Sequence, residues 1–144
     1  MASVNRQALV PFSAEQMFRL VNDIESYPRF LPWCRSTQVQ FRDDDQIRAT
    51  IEISKGPLQK SFTTLNRLQR NKMMEIRLVE GPFRRLDGYW CFHALRDDAC
   101  KVTLDLDFEF AGSWTSRLIG PVFNQIANNL VDAFCRRAED IYAR

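Results

Sequence analysis

The 144-residue sequence lacks the features that define several common classes of protein. It contains no run of about 18 uncharged apolar residues, the minimum that a membrane-spanning helix needs. Its first six residues have none of the apolar character of a secretion signal. Lysine and arginine total 20 against 18 aspartates and glutamates, far from the excess of a dedicated nucleic-acid-binding protein. We therefore expect a cytoplasmic protein, with reversible peripheral contact at the inner membrane left open.

Metal ligands are also scarce. The four cysteines, Cys34, Cys91, Cys100 and Cys135, form no Cys-x-x-Cys pair, and His93 is the only histidine. Structural zinc sites need clustered cysteine and histidine, and a reducing cytosol keeps thiols free. We therefore predict four free, buried thiols, no metal and no cofactor. Cys34 follows a proline-rich loop and is the thiol expected to be most able to reach solvent.

Groups suited to catalysis are equally few. His93 has no partner that would complete a nucleophile–base pair, since such catalysis needs several groups in one geometry. Asp105, Asp107 and Glu109 alternate along one strand, which is the pattern of a solvated sheet face. We therefore expect no catalytic residue and no enzymatic activity.

Aromatic residues, by contrast, are abundant: 11 Phe, 3 Trp and 3 Tyr, within a hydrophobic fraction of 45%. A chain of this length and composition is typical of one compact domain, here residues 1–144. Large rings either fill a core or line a cavity, so their placement bears on function.

The periodicity of the apolar residues predicts an α+β fold. Residues 4–10 resemble a short strand, and Ser13 with Gln16 forms a capping-box pattern that begins a helix. Prolines at positions 28 and 32 prevent a long regular helix there, so two short helices follow the first strand. From residue 34 to 110 the period is two, which predicts an antiparallel meander. The clearest strands are 47–54, 59–69, 73–79, 87–96 and 100–110.

After Gly112 the period becomes helical. Gly120 and Pro121 predict a short lead-in and then a kink or a fresh start, followed by a helix of roughly 20 residues. The expected apolar face comprises Ile119, Val122, Phe123, Ile126, Leu130, Ala133, Phe134 and Ile141. Only this helix is long enough to cover the sheet, so we predict a curved sheet wrapped around it with a pocket between them.

Two segments are candidates for the mouth of that pocket: the stiff aromatic loop 27–33 and the turn at Gly81 and Pro82, with Phe83 at its tip. The alternatives, a loop that only packs on the sheet and an ordinary hairpin, stay open. Trp90 and Phe92 are expected to face inward, leaving Tyr89, Cys91 and His93 outside as a partner or dimer surface. The predicted ligand-binding residues are Tyr27, Pro28, Phe30, Leu31, Pro32, Trp33, Phe62, Phe83, Trp90, Phe92, Val122, Phe123, Ile126 and Leu130.

The charge is uneven along the chain. Residues 46–86 carry nine basic residues and three acidic ones, which indicates a basic patch on the outer face of the central hairpins. Lys60, Arg84 and Arg85 are its candidate partner-binding residues, for ribosomal RNA or anionic lipid headgroups; a merely solvated face is the alternative. Arg137 falls within the apolar arc of the last helix, either as a cap near its end or as a contact to a ligand headgroup.

Several segments resemble the START-like helix-grip superfamily, also called polyketide cyclase/dehydrase. The segments that carry the resemblance are 8–17, 20–34, 79–86, 106–110 and 133–138. They are most similar to the group that contains the coenzyme Q-binding START-domain proteins, and within it to the RatA branch of bacterial ribosome-association toxins. Tyr27-Pro28-x-Phe30-Leu31-Pro32-Trp33 and Gly81-Pro82-Phe83 are the more specific motifs.

The resemblance implies a helix-grip fold and two different functions. The first is non-enzymatic binding of ubiquinone or another isoprenoid lipid in support of respiration, which we take as the main expectation. The alternative is a RatA-type toxin that binds the large ribosomal subunit and blocks subunit association and translation initiation. An aromatase/cyclase activity, which the superfamily also contains, is a third hypothesis and ranks last. No oligomeric state is indicated.

Overall fold

The fold follows the predicted order of strand, two short helices, meander and long helix. The computed structural model describes residues 2–143. Its elements are β1 (Ala2–Val10), α1 (Ala14–Asn22), a 3₁₀ helix (Ile24–Arg29), β2 (Cys34–Arg42), β3 (Gln46–Lys55), β4 (Leu58–Gln69), β5 (Met73–Glu80), β6 (Phe83–Arg96), β7 (Ala99–Phe110) and α2 (Ser113–Tyr142). The α+β helix-grip class is confirmed, and β6 begins four residues earlier than predicted.

All seven strands belong to one antiparallel sheet in the order β1-β7-β6-β5-β4-β3-β2. Strands β2 to β7 form a meander, and β1 pairs along β7 from Ala2–Phe108 to Val10–Cys100. Along β7 the residues from Cys100 to Phe110 alternate between buried and half-buried positions. One face of the sheet is therefore covered, and α2 lies on that concave face.

Helix α1 begins with the predicted capping box. The Gln16 amide donates to Ser13 Oγ at 3.0 Å, and the Ser13 amide donates to Gln16 Oε1 at 2.9 Å. These bonds satisfy two backbone donors that a helix start otherwise leaves free. The helix buries Met17, Leu20 and Val21 against the core.

The C-terminal helix differs from the prediction. It runs through Gly120 and Pro121 without interruption for 30 residues, about 45 Å, with no fresh start at the proline. Pro121 leaves the carbonyl of Arg117, four residues earlier, without an intrahelical donor, and Arg117 is exposed, so water can satisfy that carbonyl. Ile141 is 43% exposed instead of buried, because Tyr142 makes the contact to α1, donating to the Gln16 carbonyl at 3.1 Å.

The four cysteines are free thiols, as predicted. Cys100 is fully buried, and Cys34 is also buried at 4% exposure, so the expectation that Cys34 reaches solvent was wrong. Cys91 and Cys135 are only half-buried. Burial raises the pKa of the Cys34 and Cys100 thiols to about 11, which keeps both protonated at neutral pH. Within residues 2–143, no helix combines the length and apolar character needed to cross a membrane.

Two glycines provide a test of the packing. A Cβ on Gly88 would lie 2.1 Å from the Asp105 carbonyl oxygen and 2.8 Å from Leu106 Cα on β7, whereas a Cβ on Gly120 would have no neighbour closer than 4.0 Å. We expect Gly88→Ala to lower the free energy of unfolding by about 3 kcal/mol. Gly120→Ala should raise it by about 1 kcal/mol, because alanine favours the helix. Urea denaturation measures both, and a Gly88→Ala variant as stable as wild type would contradict the assigned register.

Candidate functional site

A cavity of about 90 Å³ lies between α2 and the concave face of the sheet. Residues from the 3₁₀ helix, the following loop, strands β3 to β7 and α2 contribute to its wall. The lining residues are Ile24, Tyr27, Trp33, Ile51, Ile53, Phe62, Thr64, Asn66, Met74, Ile76, Leu86, Trp90, Leu106, Phe123, Ile126, Ala127, Leu130 and Phe134. The wall is therefore almost entirely apolar and rich in aromatic rings.

The structure brings half of the predicted ligand-binding residues to this cavity. Those that line it are Tyr27, Trp33, Phe62, Trp90, Phe123, Ile126 and Leu130. The others, Pro28, Phe30, Leu31, Pro32, Phe83, Phe92 and Val122, lie outside its lining. Phe92 instead packs edge-on against Phe18 of α1, with ring centroids 5.7 Å apart.

The aromatic loop forms a wall of the cavity. Leu31 is fully buried, and the Leu31 amide donates to the Tyr27 carbonyl at 2.9 Å. The Tyr27 hydroxyl donates to the Val21 carbonyl, and burial raises the pKa of Tyr27 above its ordinary value. Phe30 packs edge-on against Phe134, with centroids 5.2 Å apart. Only Pro28, Arg29 and Pro32 of the segment are exposed, so its aromatic and aliphatic side chains hold the 3₁₀ helix against α2.

The turn at Gly81 and Pro82 does not present Phe83 at its tip. Phe83 is the first residue of β6 and is only 6% exposed. Its ring stacks on Phe110 at 4.5 Å and meets Phe62 and Phe123 at 5.5 and 5.1 Å. The prediction of a tip residue was wrong because the β6 strand begins directly after Pro82. This aromatic cluster closes one end of the cavity.

Two polar side chains in the cavity wall were missed by the sequence analysis. Thr64 and Asn66 are 5% and 6% exposed. Thr64 Oγ1 donates to Asn66 Oδ1 at 2.9 Å, and Asn66 Nδ2 lies 3.6 Å from the Met74 sulfur. A thioether is a weak acceptor, so the Asn66 amide keeps hydrogen-bonding capacity toward the cavity. Phe62, Thr64 and Asn66 are two residues apart along β4, and this spacing puts all three on the inward side of the strand. The spacing was the signal that could have identified the polar pair.

Arg137 lies beside the aromatic loop. Its guanidinium carbon is 5.0 Å from the centroid of the Phe30 ring, a cation–π contact. The Nε atom is buried and has no hydrogen-bond partner among residues 2–143. Burying such a donor without an acceptor is unfavourable.

The predicted partner-binding residues do not share one surface. Lys60 pairs with the buried Ile53 and therefore projects on the concave side of the sheet. Arg85 pairs with Glu109 on the convex side, where it binds Asp87 at 2.9 Å. Arg84 approaches Glu109 at 3.9 Å. The basic stretch of sequence is thus divided between the two faces.

The convex face carries a separate basic group. Arg48 and Arg77 flank Leu65 in one cross-strand row, and Arg67 is on the same face of β4, opposite Glu75. Arg77 pairs with Glu75 at 2.9 Å, while Arg48 and Arg67 belong to none of the ion pairs found within residues 2–143. We call Arg48, Arg67 and Arg77 the convex arginine patch.

Two carboxylates that β7 presents on the convex face have structural partners. Asp107 accepts a hydrogen bond from Ser3 at 2.6 Å, and Asp105 accepts one from Asn5. These carboxylates therefore join β1 to β7. Tyr89 and His93 are exposed on this face as predicted.

The size of the cavity limits what it can hold. Ligand sites commonly enclose about 300–1,000 Å³, and a cavity of about 150 Å³ is known to accommodate benzene. The volume of about 90 Å³ in this structure is smaller than both. The wall must therefore move before a ring-bearing ligand can enter.

Comparisons with known proteins identify close relatives. Residues 10–135 match the family described as polyketide cyclase / dehydrase and lipid transport. The ribosome association toxin RatA of Pseudomonas aeruginosa is 46% identical over 96% of both chains. Coenzyme Q-binding protein COQ10 homolog B of Xenopus laevis is 29% identical over 92% of this chain and 56% of its own length.

Solved structures share the fold at lower identity. The Zhui aromatase/cyclase of Streptomyces sp. R1128 has a TM-score of 0.81 with 14% identity, over 96% of this chain and 93% of its own. A START superfamily protein of Mycobacterium smegmatis has a TM-score of 0.73 with 21% identity, over 96% and 94%. With the family match spanning most of the sequence, the chain belongs to the polyketide cyclase/dehydrase and lipid transport family and has the START-like fold.

Proposed function

We propose that this protein associates with the large ribosomal subunit and prevents the two subunits from joining. The observation that supports this most is its 46% identity, over 96% of both chains, to a protein named ribosome association toxin. The cavity of about 90 Å³ adds to the argument, because so small an interior favours a function carried by the surface. We propose binding without a catalytic step. Because the proposed partner is the large ribosomal subunit, the proposed location is the cytoplasm.

The convex arginine patch is the surface suited to ribosomal RNA. Arg48 and Arg67 carry charges that no ion pair within residues 2–143 neutralises, and they lie around Leu65 on a regular sheet face. Arginine binds phosphate through two parallel hydrogen bonds, and each phosphate contact releases counterions. The acidic residues of β7 lie farther along the sheet, beyond β5 and β6.

The first prediction concerns subunit joining. Purified protein added in increasing amounts to separated ribosomal subunits should reduce the fraction of joined ribosomes on a sucrose gradient, leaving free subunits. The protein should sediment with the large subunit and not with the small one. Undiminished joining at a large molar excess would disprove the proposed function.

The second prediction assigns the surface. Arg48→Glu combined with Arg67→Glu should weaken sedimentation with large subunits and reduce the slope of log affinity against log salt by about two, one for each lost phosphate contact. Arg84→Glu combined with Arg85→Glu is the matched control, since Arg85 already pairs with Asp87. If the control pair alone abolishes binding, the RNA surface lies at the end of β6.

A second candidate function is the binding of an isoprenoid quinone in the cavity. The observation that favours it is the Thr64–Asn66 pair in an otherwise apolar wall, because such a pair can orient a carbonyl group. The relative named coenzyme Q-binding protein supports it at 29% identity. Peripheral membrane contact belongs to this candidate alone.

The third prediction separates the interior from the surface. Ala127 is 1% exposed and lines the cavity, so Ala127→Leu places three further carbon atoms there. We expect this variant to lose binding of a short-chain ubiquinone analogue, measured by quenching of tryptophan emission, and to keep sedimentation with the large subunit. Wild-type protein that fails to bind the analogue would remove the second candidate, and loss of sedimentation in the variant would link the ribosome to the cavity.

A further inference from the structure

An irregularity in the edge strand β2 reverses the sides to which two of its residues point. Val39 packs against the core on the concave side, so simple alternation would send Phe41 to the same side. A β-bulge between Val39 and Phe41 instead pairs Phe41 with Arg48 on the convex face and Arg42 with the buried Ile47. The bulge therefore exposes a phenylalanine and turns an arginine away from the convex face.

The packing of the chain does not explain why the exposed residue is a phenylalanine. Phe41 is 46% exposed, and within residues 2–143 it belongs neither to the core nor to the apolar side chains that pack on it. Arg42 pairs with Glu25 of the 3₁₀ helix, and Gln40 Nε2 donates to Thr50 Oγ1 at 2.6 Å. These contacts hold the bulge, yet a polar residue at position 41 would serve them equally well. Bulges re-aim side chains and are frequent beside functional sites, so the ring itself calls for a role.

The Phe41 ring lies directly beside the convex arginine patch. Opposite residues on one face of an antiparallel pair have Cβ atoms about 4.5–5.5 Å apart, and Phe41 and Arg48 are such a pair. The half-buried Leu65 is the next residue in the same row, and Arg67 is the diagonal neighbour of Arg48, at about 7–8 Å. An exposed ring, an apolar floor and two guanidinium groups thus share one regular surface.

Aspartates limit this surface at one end. Asp43, Asp44 and Asp45 lie between β2 and β3, and Asp43 Oδ1 accepts hydrogen bonds from the Asp45 and Gln46 amides at 2.8 and 2.9 Å. The three carboxylates repel phosphate groups. A bound nucleic acid must therefore run from Phe41 across β3 and β4 and not over the turn.

We propose that Phe41 stacks on an unpaired base of ribosomal RNA while Arg48 and Arg67 bind the phosphates beside that base. Exposed aromatic rings bind bases in this way because every base has an apolar face, and an adjacent positive surface holds the backbone. A base inside a duplex is already stacked, so the RNA element must be a loop, a bulge or a single strand. This inference rests on the proposed function and names the kind of RNA that the convex face binds.

Two RNA probes separate stacking from charge. Fluorescein-labelled oligouridylate of about 12 nucleotides and an RNA duplex of the same length are titrated with protein at low salt, and anisotropy reports binding. Arginines alone would favour the duplex, because its phosphates are denser. We expect wild-type protein to bind the single strand more tightly than the duplex.

Matched variants assign the preference to the ring. Phe41→Leu keeps an apolar side chain and removes the ring, so it should lower single-strand affinity about tenfold and leave duplex affinity unchanged. Tyr89→Leu is the control, because Tyr89 is also exposed on the convex face but lies opposite Asp105. This control should change neither affinity. Phe41→Leu should also weaken sedimentation with large ribosomal subunits, about tenfold.

A tryptophan at the same position supplies a direct signature of stacking. Phe41→Trp keeps a flat ring and should bind the single strand at least as tightly as wild-type protein. Its emission, measured as the difference from wild-type protein with its three native tryptophans, should be quenched by the single strand and not by the duplex. Urea denaturation checks that Phe41→Leu is folded, and if it is not, the Phe41→Trp signal decides.

The outcomes distinguish failure of this inference from failure of the proposed function. The inference is overturned if wild-type protein binds the duplex as tightly as the single strand, or binds neither. An unchanged single-strand affinity of Phe41→Leu overturns it as well, as does sedimentation of that variant like wild-type protein. In each case wild-type protein that still sediments with large subunits keeps ribosome association. Wild-type protein that does not sediment removes both ribosome association and the ribosomal site, even if the single-strand preference persists.

Discussion

One helix must cover the concave face of a curved seven-stranded sheet, and the rest of the structure depends on how it does so. Helix α2 is held at two aromatic contacts. Phe123 inserts among four phenylalanines, meeting Phe108 at 4.7 Å, and Phe134 inserts between the loop and β6, meeting Tyr27 and Trp90 at 5.3 Å each. Edge-on aromatic pairs of this type stabilise by about 0.5–1.5 kcal/mol beyond the burial of their surface. The space between the two contacts is the cavity.

The same architecture separates an interior function from a surface function. The cavity uses the concave face and α2, whereas the convex arginine patch lies on the opposite side of β3, β4 and β5. Residues of the two sites do not overlap, so the proposed ribosome binding and the second candidate function depend on different side chains. Helix α2 is also tied to the edge strand β1, where Arg6 Nε donates to the Asn128 carbonyl at 3.0 Å.

Charge shows how far sequence position and spatial position can differ. The net charge of +2 and the basic stretch 46–86 indicated a single outer patch. Alternation along β3 and β4 instead sends Arg48 and Arg67 to the convex face and Lys55 and Lys60 to the concave rim. Each group is small, yet Arg48, Arg67, Lys55 and Lys60 belong to none of the ion pairs found within residues 2–143, and this gives a nearly neutral protein two distinct basic surfaces.

The sequence by itself determined the local features of this protein: the capping box of Ser13 and Gln16, the alternation along β7, the turns, and the helical period after Gly112. Each depends on residues close together in the chain, whose backbone preferences and hydrogen bonds do not need distant partners. The tertiary structure alone decided the burial of Phe83 and Cys34, the continuity of α2 through Pro121, the placement of Lys60 on the concave side, and the pairing of Thr64 with Asn66 inside the cavity. Periodicity tells which side of its own element a residue occupies. Which element then covers that side, and whether space remains between them, depends on contacts between residues far apart in the chain.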